Sequence, residues 1–315
     1  MIERPTYLNI LISFKDKKLI KIITGIRRCG KSTLFELYQD YLLKNGIMPN
    51  QIRNINLEDA DYRQLLNWEN LHDNISKNLL PDKMNYIFLD EIQNVADFQR
   101  AADSLFIKKN VDLYLTGSNA RMLSGEIATL LSGRYIEIQM LPLSFKEYLS
   151  ACSDKSNLPE KFKNYLSNSG FPYTLEFNGN RKEINRYLGG IYNTILLKDI
   201  VSYKKISDIS RLESVIHFMF SNIGNETSIN NIRNTMKSDG KIIEGQTIEN
   251  YLDCLIDSFV LYRANRFDIK GKQYLKTNEK YYLVDIGLRN FLLGRENRDE
   301  GHILENIVYL ELLRR

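Results

Sequence analysis

The chain has 315 residues, 43% hydrophobic and 26% charged, with a net charge of +4. That length fits two or three domains, and the composition excludes a disordered tail protein, a collagen-like repeat and a membrane bundle. No run approaches the ~18 apolar residues of a membrane span. The N-terminus carries Glu3 and Arg4 and no long apolar core, so it does not read as a signal peptide. Three scattered cysteines, Cys29, Cys152 and Cys254, make no disulfide or zinc framework and fit a reducing cytoplasm.

The first predicted element is a buried strand over 19–24. A glycine-bounded loop follows, Gly25 to Ser32, and then a helix with Leu34, Leu37, Tyr38, Tyr41 and Leu42 on one face, closed by Gly46. Further strands are expected over 52–57, 86–89, 111–115 and 135–139. Helices are expected within 62–79, after Asp97, and from about 121 to 131. Strands that alternate with helices and are almost wholly apolar predict an α/β parallel sheet covered on both faces.

The pattern changes after Pro142. Residues 144–205 read as helix, with a turn at Gly170-Phe171-Pro172 and a bend or close helix contact at Gly189-Gly190. Three short helices over 208–258 precede two strands, about 259–267 and 273–283, which is the order of a winged helix. Ile303, Leu304, Ile307, Val308 and Leu310 predict a last amphipathic helix.

Gly25-Ile26-Arg27-Arg28-Cys29-Gly30-Lys31-Ser32 matches the phosphate-binding pattern G-x-x-x-x-G-K-[ST] in full. Bare glycines let the backbone curl so that its N–H groups converge on an anion. The helix N-terminus, which Thr33 continues, adds partial positive charge. In such a loop Lys31 reaches the β- and γ-phosphates and the Ser32 hydroxyl ligates Mg²⁺. Arg27 and Arg28 fit three roles equally: phosphate contact, contact with a neighbouring subunit, or packing on the sheet.

Tyr86-Ile87-Phe88-Leu89-Asp90-Glu91 buries a strand and ends in two carboxylates. Asp90 is expected to hold Mg²⁺ through water, and Glu91 to polarise the attacking water. Leu113 to Asn119 ends in small polar residues on the same rim. Ser118 or Asn119 is expected to bond the γ-phosphate or that water; a cap on the next helix is the alternative. Arg134 has two readings, an arginine finger that reaches a neighbouring subunit's γ-phosphate and a surface salt bridge.

These runs, TGIRRCGKSTLF, YIFLDEIQNVADFQRA and LYLTGSNARMLSGEIATLLSGRYIEIQMLPLSFKEYL, are similar to those of the prokaryotic AAA+ (P-loop) ATPases that carry a C-terminal domain of unknown function. GFPYTL, YNTILLKDIVSYKKI, EKYYLVDIGLRNFLLG and GHILENIVYLELLRR extend the resemblance over essentially the whole chain. It implies ATP and Mg²⁺ as ligands, an AAA+ core over 1–143, a helical lid over 144–205, a winged helix over 206–285, and over 286–315 the start of a restriction-endonuclease-like domain. Most of that last domain is expected to be missing. Glu305 matches a glutamate of its first helix, and one glutamate builds no metal site. The resemblance also implies that Arg4 and Tyr7 lie near the adenine. Ser169 departs from the family, which tends to have glycine there.

Residues 261–280 carry Arg263, Arg266, Lys270, Lys272, Lys276 and Lys280 against Asp268 and Glu279, a basic wing able to meet duplex DNA non-specifically. The expected recognition helix, about 247–257, carries Glu249, Asp253 and Asp257 and no basic residue, which disfavours groove reading. The reading that follows is a cytoplasmic Mg²⁺-dependent ATPase, acting as a homo-oligomer and coupled to its C-terminal modules. The alternative is a slowly hydrolysing switch or scaffold acting through protein partners. A small-molecule kinase fits less well, since Glu91 and the winged helix have no place in it.

Overall fold

The computed structural model describes residues 2–123, 131, 133–152, 154–201, 206, 208–265, 278–294 and 299–315, with backbone alone at 196–198. The expected helix over 121–131 lies mostly outside them, as does the turn of the basic wing. The chain divides into two compact units. One is 1–25 with 29–140, and the other is 26–28 with 141–315.

The first unit opens with α1 (Pro5–Ser13), a helix that the sequence reading did not anticipate. Pro5 at its first position supplies the preset φ that starts helices. Five strands follow: β1 (Ile20–Thr24), β2 (Ile52–Asn56), β3 (Asn85–Asp90), β4 (Val111–Gly117) and β5 (Tyr135–Gln139). They form one sheet in the order β2-β3-β4-β1-β5, parallel throughout. Helices α2 (Lys31–Lys44), α3 (Trp68–Ser76) and α4 (Phe98–Ile107) connect the strands.

Strand alternation sends Ile22, Ile87, Leu89, Leu113 and Leu115 into the cluster that α3 and α4 complete with Leu71, Ile75, Ala101 and Leu105. The other face stacks Phe88 on Tyr114, ring centroids 4.7 Å apart, under Phe35 and Tyr38 of α2. Both faces are therefore dry, which explains why three of the five strands are buried at every position. Each fully buried Ile or Leu contributes about 1.5–3 kcal/mol by leaving water. Gly46 closes α2 as expected, with φ +87 just past the Asn45 cap.

The second unit contains α5 (Phe145–Ala151), α6 (Leu158–Asn168) and α7 (Arg181–Thr194), which runs on into a π-helical turn over Ile195–Val201. Gly189 lies within α7 without interrupting it. A Cβ there would lie 3.1 Å from the Phe291 ring, so the pair marks a close helix contact and not a bend. Then come α8 (Ile209–Ser221), β6 (Glu226–Thr227), α9 (Ile229–Ser238), α10 (Gly245–Asp257), β7 (Leu261–Ala264) and β8 (Glu279–Leu283). The strands form an antiparallel sheet in the order β6-β8-β7.

Two more helices, α11 (Ile286–Leu293) and α12 (Glu300–Arg314), belong to this same unit. Asp285 caps α11 and accepts a bond from Gly170 N–H at 2.7 Å. The Asn306 amide accepts from Leu283 N–H at 2.7 Å and donates to its carbonyl at 2.8 Å, fastening α12 to β8. Ser169 has φ +118 and ψ 152, a backbone conformation that glycine adopts without strain and serine does not.

Candidate functional site

β1 delivers the chain to Gly25 at the C-terminal rim of the sheet. Gly25 has φ +148, and a Cβ on it would lie 2.2 Å from the Met140 carbonyl oxygen, so the position admits glycine alone. Gly30, with φ +105, turns the chain into α2. Lys31 is the first residue of that helix. Its ammonium donates to the Gly25 carbonyl at 2.9 Å and lies 3.5 Å from Glu91 Oε1. Arg4 donates from Nη1 to the Cys29 carbonyl at 3.0 Å, bracing the loop with a buried guanidinium whose charge lies over the Tyr7 ring. Burial raises the pKa of the Cys29 thiol and keeps it neutral. Ile26–Arg28 group with the second unit, where Arg27 Nε donates to both Asp199 oxygens at 2.9 and 2.8 Å.

The neighbouring strands end on the same rim, with Thr24 opposite Gly117 and Leu115 opposite Leu89. The buried Thr116 hydroxyl bonds Asp90 Oδ1 and accepts the Glu91 N–H at 2.8 Å. The Ser32 side chain also lies beside the Asp90 carboxylate and favours its charged form. Burial raises the Asp90 pKa, opposed by the Ser32 and Thr116 side chains. Glu91 has φ +53, a left-handed backbone rare for a residue with a side chain. Ser118 Oγ donates to Glu91 Oε2 at 3.0 Å, and Gln93 Nε2 donates to Glu91 Oε2 and, at 3.1 Å, to Ser118 Oγ. Lys31, Ser32, Asp90, Glu91 and Ser118 thus come together.

Other expected residues lie elsewhere. Asn119 accepts the Arg121 N–H at 2.9 Å, capping the turn that follows, so Ser118 rather than Asn119 meets Glu91. Arg134 precedes β5, where its carbonyl accepts the Ile20 N–H at the start of β1, the end opposite Gly25. It pairs with Asp103 of α4 and lies over Phe106, so within its own chain it takes the salt-bridge role. Arg263 pairs with Asp253 at 3.0 Å and Glu279 at 3.5 Å. Arg266, Lys270, Lys272 and Lys276 of the wing are outside the described residues. Glu305 bonds Lys280 at 2.7 Å and the Tyr282 hydroxyl at 2.6 Å, a packing role.

Thr116 and Gln93 escaped the sequence reading. Thr116 had a usable signal, a hydroxyl residue in an otherwise apolar strand beside the acidic pair. Gln93 had only its position two residues after Glu91. No group of three or more His, Cys, Asp or Glu that could hold a metal occurs among the described residues. A Mg²⁺ ion here would rest on Ser32 and Asp90, with waters and phosphates completing its shell.

A parallel sheet in this order, with the glycine loop between β1 and α2 and acidic residues ending β3, defines the α/β P-loop nucleoside-triphosphatase fold. Residues 17–149 match the family described as AAA domain, and residues 159–299 match Domain of unknown function (DUF8612). An uncharacterized protein of Haemophilus influenzae is 41% identical over all of this chain and 79% of its own length. An uncharacterized protein of Methanocaldococcus jannaschii is 32% identical over 94% of this chain and 67% of its own. The fold is similar to that of a Walker-type ATPase of Pyrococcus abyssi, with a TM-score of 0.61, 15% identity, and 93% and 96% of the two chains covered. The chain belongs to the prokaryotic AAA+ ATPase family, with a C-terminal domain of unknown function.

Proposed function

We propose that the protein binds ATP with Mg²⁺ in the Gly25–Thr33 loop and hydrolyses it to ADP and phosphate. The observation that carries this reading is the convergence of Lys31, Ser32, Asp90, Glu91 and Ser118 on the C-terminal ends of adjacent strands. Lys31 swings from the Gly25 carbonyl to the phosphates, a short move for a flexible ammonium. Mg²⁺ neutralises phosphate charge when bound. Glu91 accepts the proton of the attacking water. Arg134 has its own partner on α4, so a finger role requires that pair to open toward a neighbouring subunit.

Coupling to the C-terminal unit is proposed on the chain's own division, since loop residues Ile26–Arg28 group with that unit while Gly25 and Lys31 group with the other. We read α8–α10 with the β6-β8-β7 sheet as a winged helix whose basic wing, 261–280, meets duplex DNA through phosphates. Asp253 pairs with Arg263, and Glu249 and Asp257 share the same helix, so base reading by α10 has no support.

The test is ATP turnover with Mg²⁺ across a range of protein concentrations, with and without duplex DNA. Lys31→Ala is expected to abolish nucleotide binding, and Glu91→Gln to bind ATP while keeping only a small residual turnover. A rate per subunit that rises with concentration and falls in Arg134→Ala supports a finger in trans. Tight binding with a flat, very slow rate favours the switch. No Mg²⁺-dependent turnover under any condition overturns the hydrolase reading.

A further inference from the structure

The reading of Glu91 as the base leaves open what aims its carboxylate. A glutamate side chain has three rotatable bonds, and a base that wanders by an ångström loses much of its effect. Here the left-handed backbone at Glu91 sets the direction of its Cα–Cβ bond. The remaining freedom is removed by a closed ring of three hydrogen bonds. One Gln93 amide hydrogen goes to Glu91 Oε2, the other to Ser118 Oγ, and the Ser118 hydroxyl hydrogen goes to Glu91 Oε2.

The amide orientation follows from the chemistry, since a reversed amide would set its oxygen against the carboxylate. A Cβ on Gly117 would lie 1.9 Å from Met122 Sδ and 3.1 Å from Gln93 Oε1, so the bare backbone there makes room chiefly for Met122 and also for the amide. That oxygen is buried without a hydrogen-bond partner among the described residues, so the amide is held by its donor end.

We infer that Gln93 is the positioning residue of the proposed ATPase site, clamping Glu91 together with Ser118. The inference rests on the reading of Glu91 as base and adds a division of labour between its oxygens. Oε2 accepts both donors. Oε1, which faces Lys31 Nζ at 3.5 Å, is left to take the proton. In that step the water oxygen bonds the γ-phosphorus and its proton passes to Oε1. The bond from the γ-phosphorus to the bridging oxygen breaks, and its electron pair leaves on ADP.

The experiment compares Gln93→Met, close in length but without donors, with the wild type in Mg²⁺-ATP turnover and in ATP binding, using the full chain. The expected result is a fall in kcat of about 10–100-fold with Kd for ATP within about twofold. Ser118→Ala is expected to act in the same direction and serves as the second test if Gln93→Met does not fold. In the Glu91→Gln background, Gln93→Met is expected to change the residual rate less than about twofold, because nothing remains to position. A wild-type kcat in Gln93→Met, or an equal loss in both backgrounds, overturns the clamp while Glu91 stays the base. A wild-type rate in Glu91→Gln overturns the base reading, and the clamp with it.

Discussion

The Thr116 hydroxyl ties together the two acidic residues at the end of β3. It bonds the Asp90 carboxylate and accepts the Glu91 backbone N–H at 2.8 Å, with no exposure to solvent. One side chain on β4 therefore fixes both the carboxylate proposed to serve the metal and the strained backbone that aims the proposed base.

Thr116→Val keeps the shape and removes the hydroxyl. The Glu91 N–H is then buried without its acceptor, at a cost of about 1–3 kcal/mol. Urea unfolding is expected to show that loss, and turnover to fall further than stability alone explains. Unchanged turnover by the folded variant would separate Thr116 from the site.

A second buried pair lies away from the rim. Lys21, near the start of β1, bonds Asp112 of β4, and both side chains are almost wholly out of water. Asp112 also accepts from Asp16 N–H at 2.9 Å and the Tyr114 hydroxyl at 2.8 Å. Lys21→Met leaves that carboxylate without its cation and is expected to destabilise the fold by about 3–5 kcal/mol. The chevron or denaturation midpoint reads the loss directly, while turnover per folded molecule stays near wild type.

Ser169 carries the opposite expectation. Its φ of +118 belongs to a region costly for any residue with a Cβ, about 1–3 kcal/mol. Its hydroxyl offsets part of this by accepting the Phe171 N–H at 3.0 Å. Ser169→Gly is expected to raise stability by about 1 kcal/mol, since a modest hydrogen bond is exchanged for a larger relief of strain. A lower melting temperature would show that the hydroxyl outweighs the backbone.

Asp285 predicts a pH dependence. Complete burial raises its pKa above the ordinary 3.8, against the pull of the Gly170 and Leu288 N–H groups. The native state therefore holds the proton more tightly than the unfolded chain. Its contribution is complete below the unfolded pKa and diminishes as pH rises through the folded one. The stability difference between wild type and Asp285→Ala is expected to be largest below the ordinary value of 3.8 and to shrink as pH rises above it. A difference that grows with pH would reverse the assignment.

Much of the α/β unit was legible because its signals are local. The five expected strands are all present, three of them apolar runs buried at every position, and Gly25, Gly30 and Gly46 stand at turns that require their backbone freedom. Legibility ended where partners are distant in sequence. The resemblance put Arg4 near the nucleotide, yet nothing local announced that it would bond the Cys29 carbonyl, or that Asp199 would meet Arg27. The choice between Ser118 and Asn119 was equally closed, since both are small, polar and adjacent.

The sequence by itself determined the chemistry on offer: a phosphate loop with Lys31 and Ser32, an acidic pair at Asp90 and Glu91, and strand patterning that buries both faces of a sheet. These follow from residue type and spacing, which act over a few neighbours. Tertiary structure alone decided the pairings. Parallel strand register brought Thr116 and Ser118 beside Glu91, and the turn after Glu91 brought Gln93 back to it. The same register put Arg134 at the other end of β1, beside Asp103. Hydrogen bonds form between atoms about 3 Å apart, and only the folded chain sets which atoms those are.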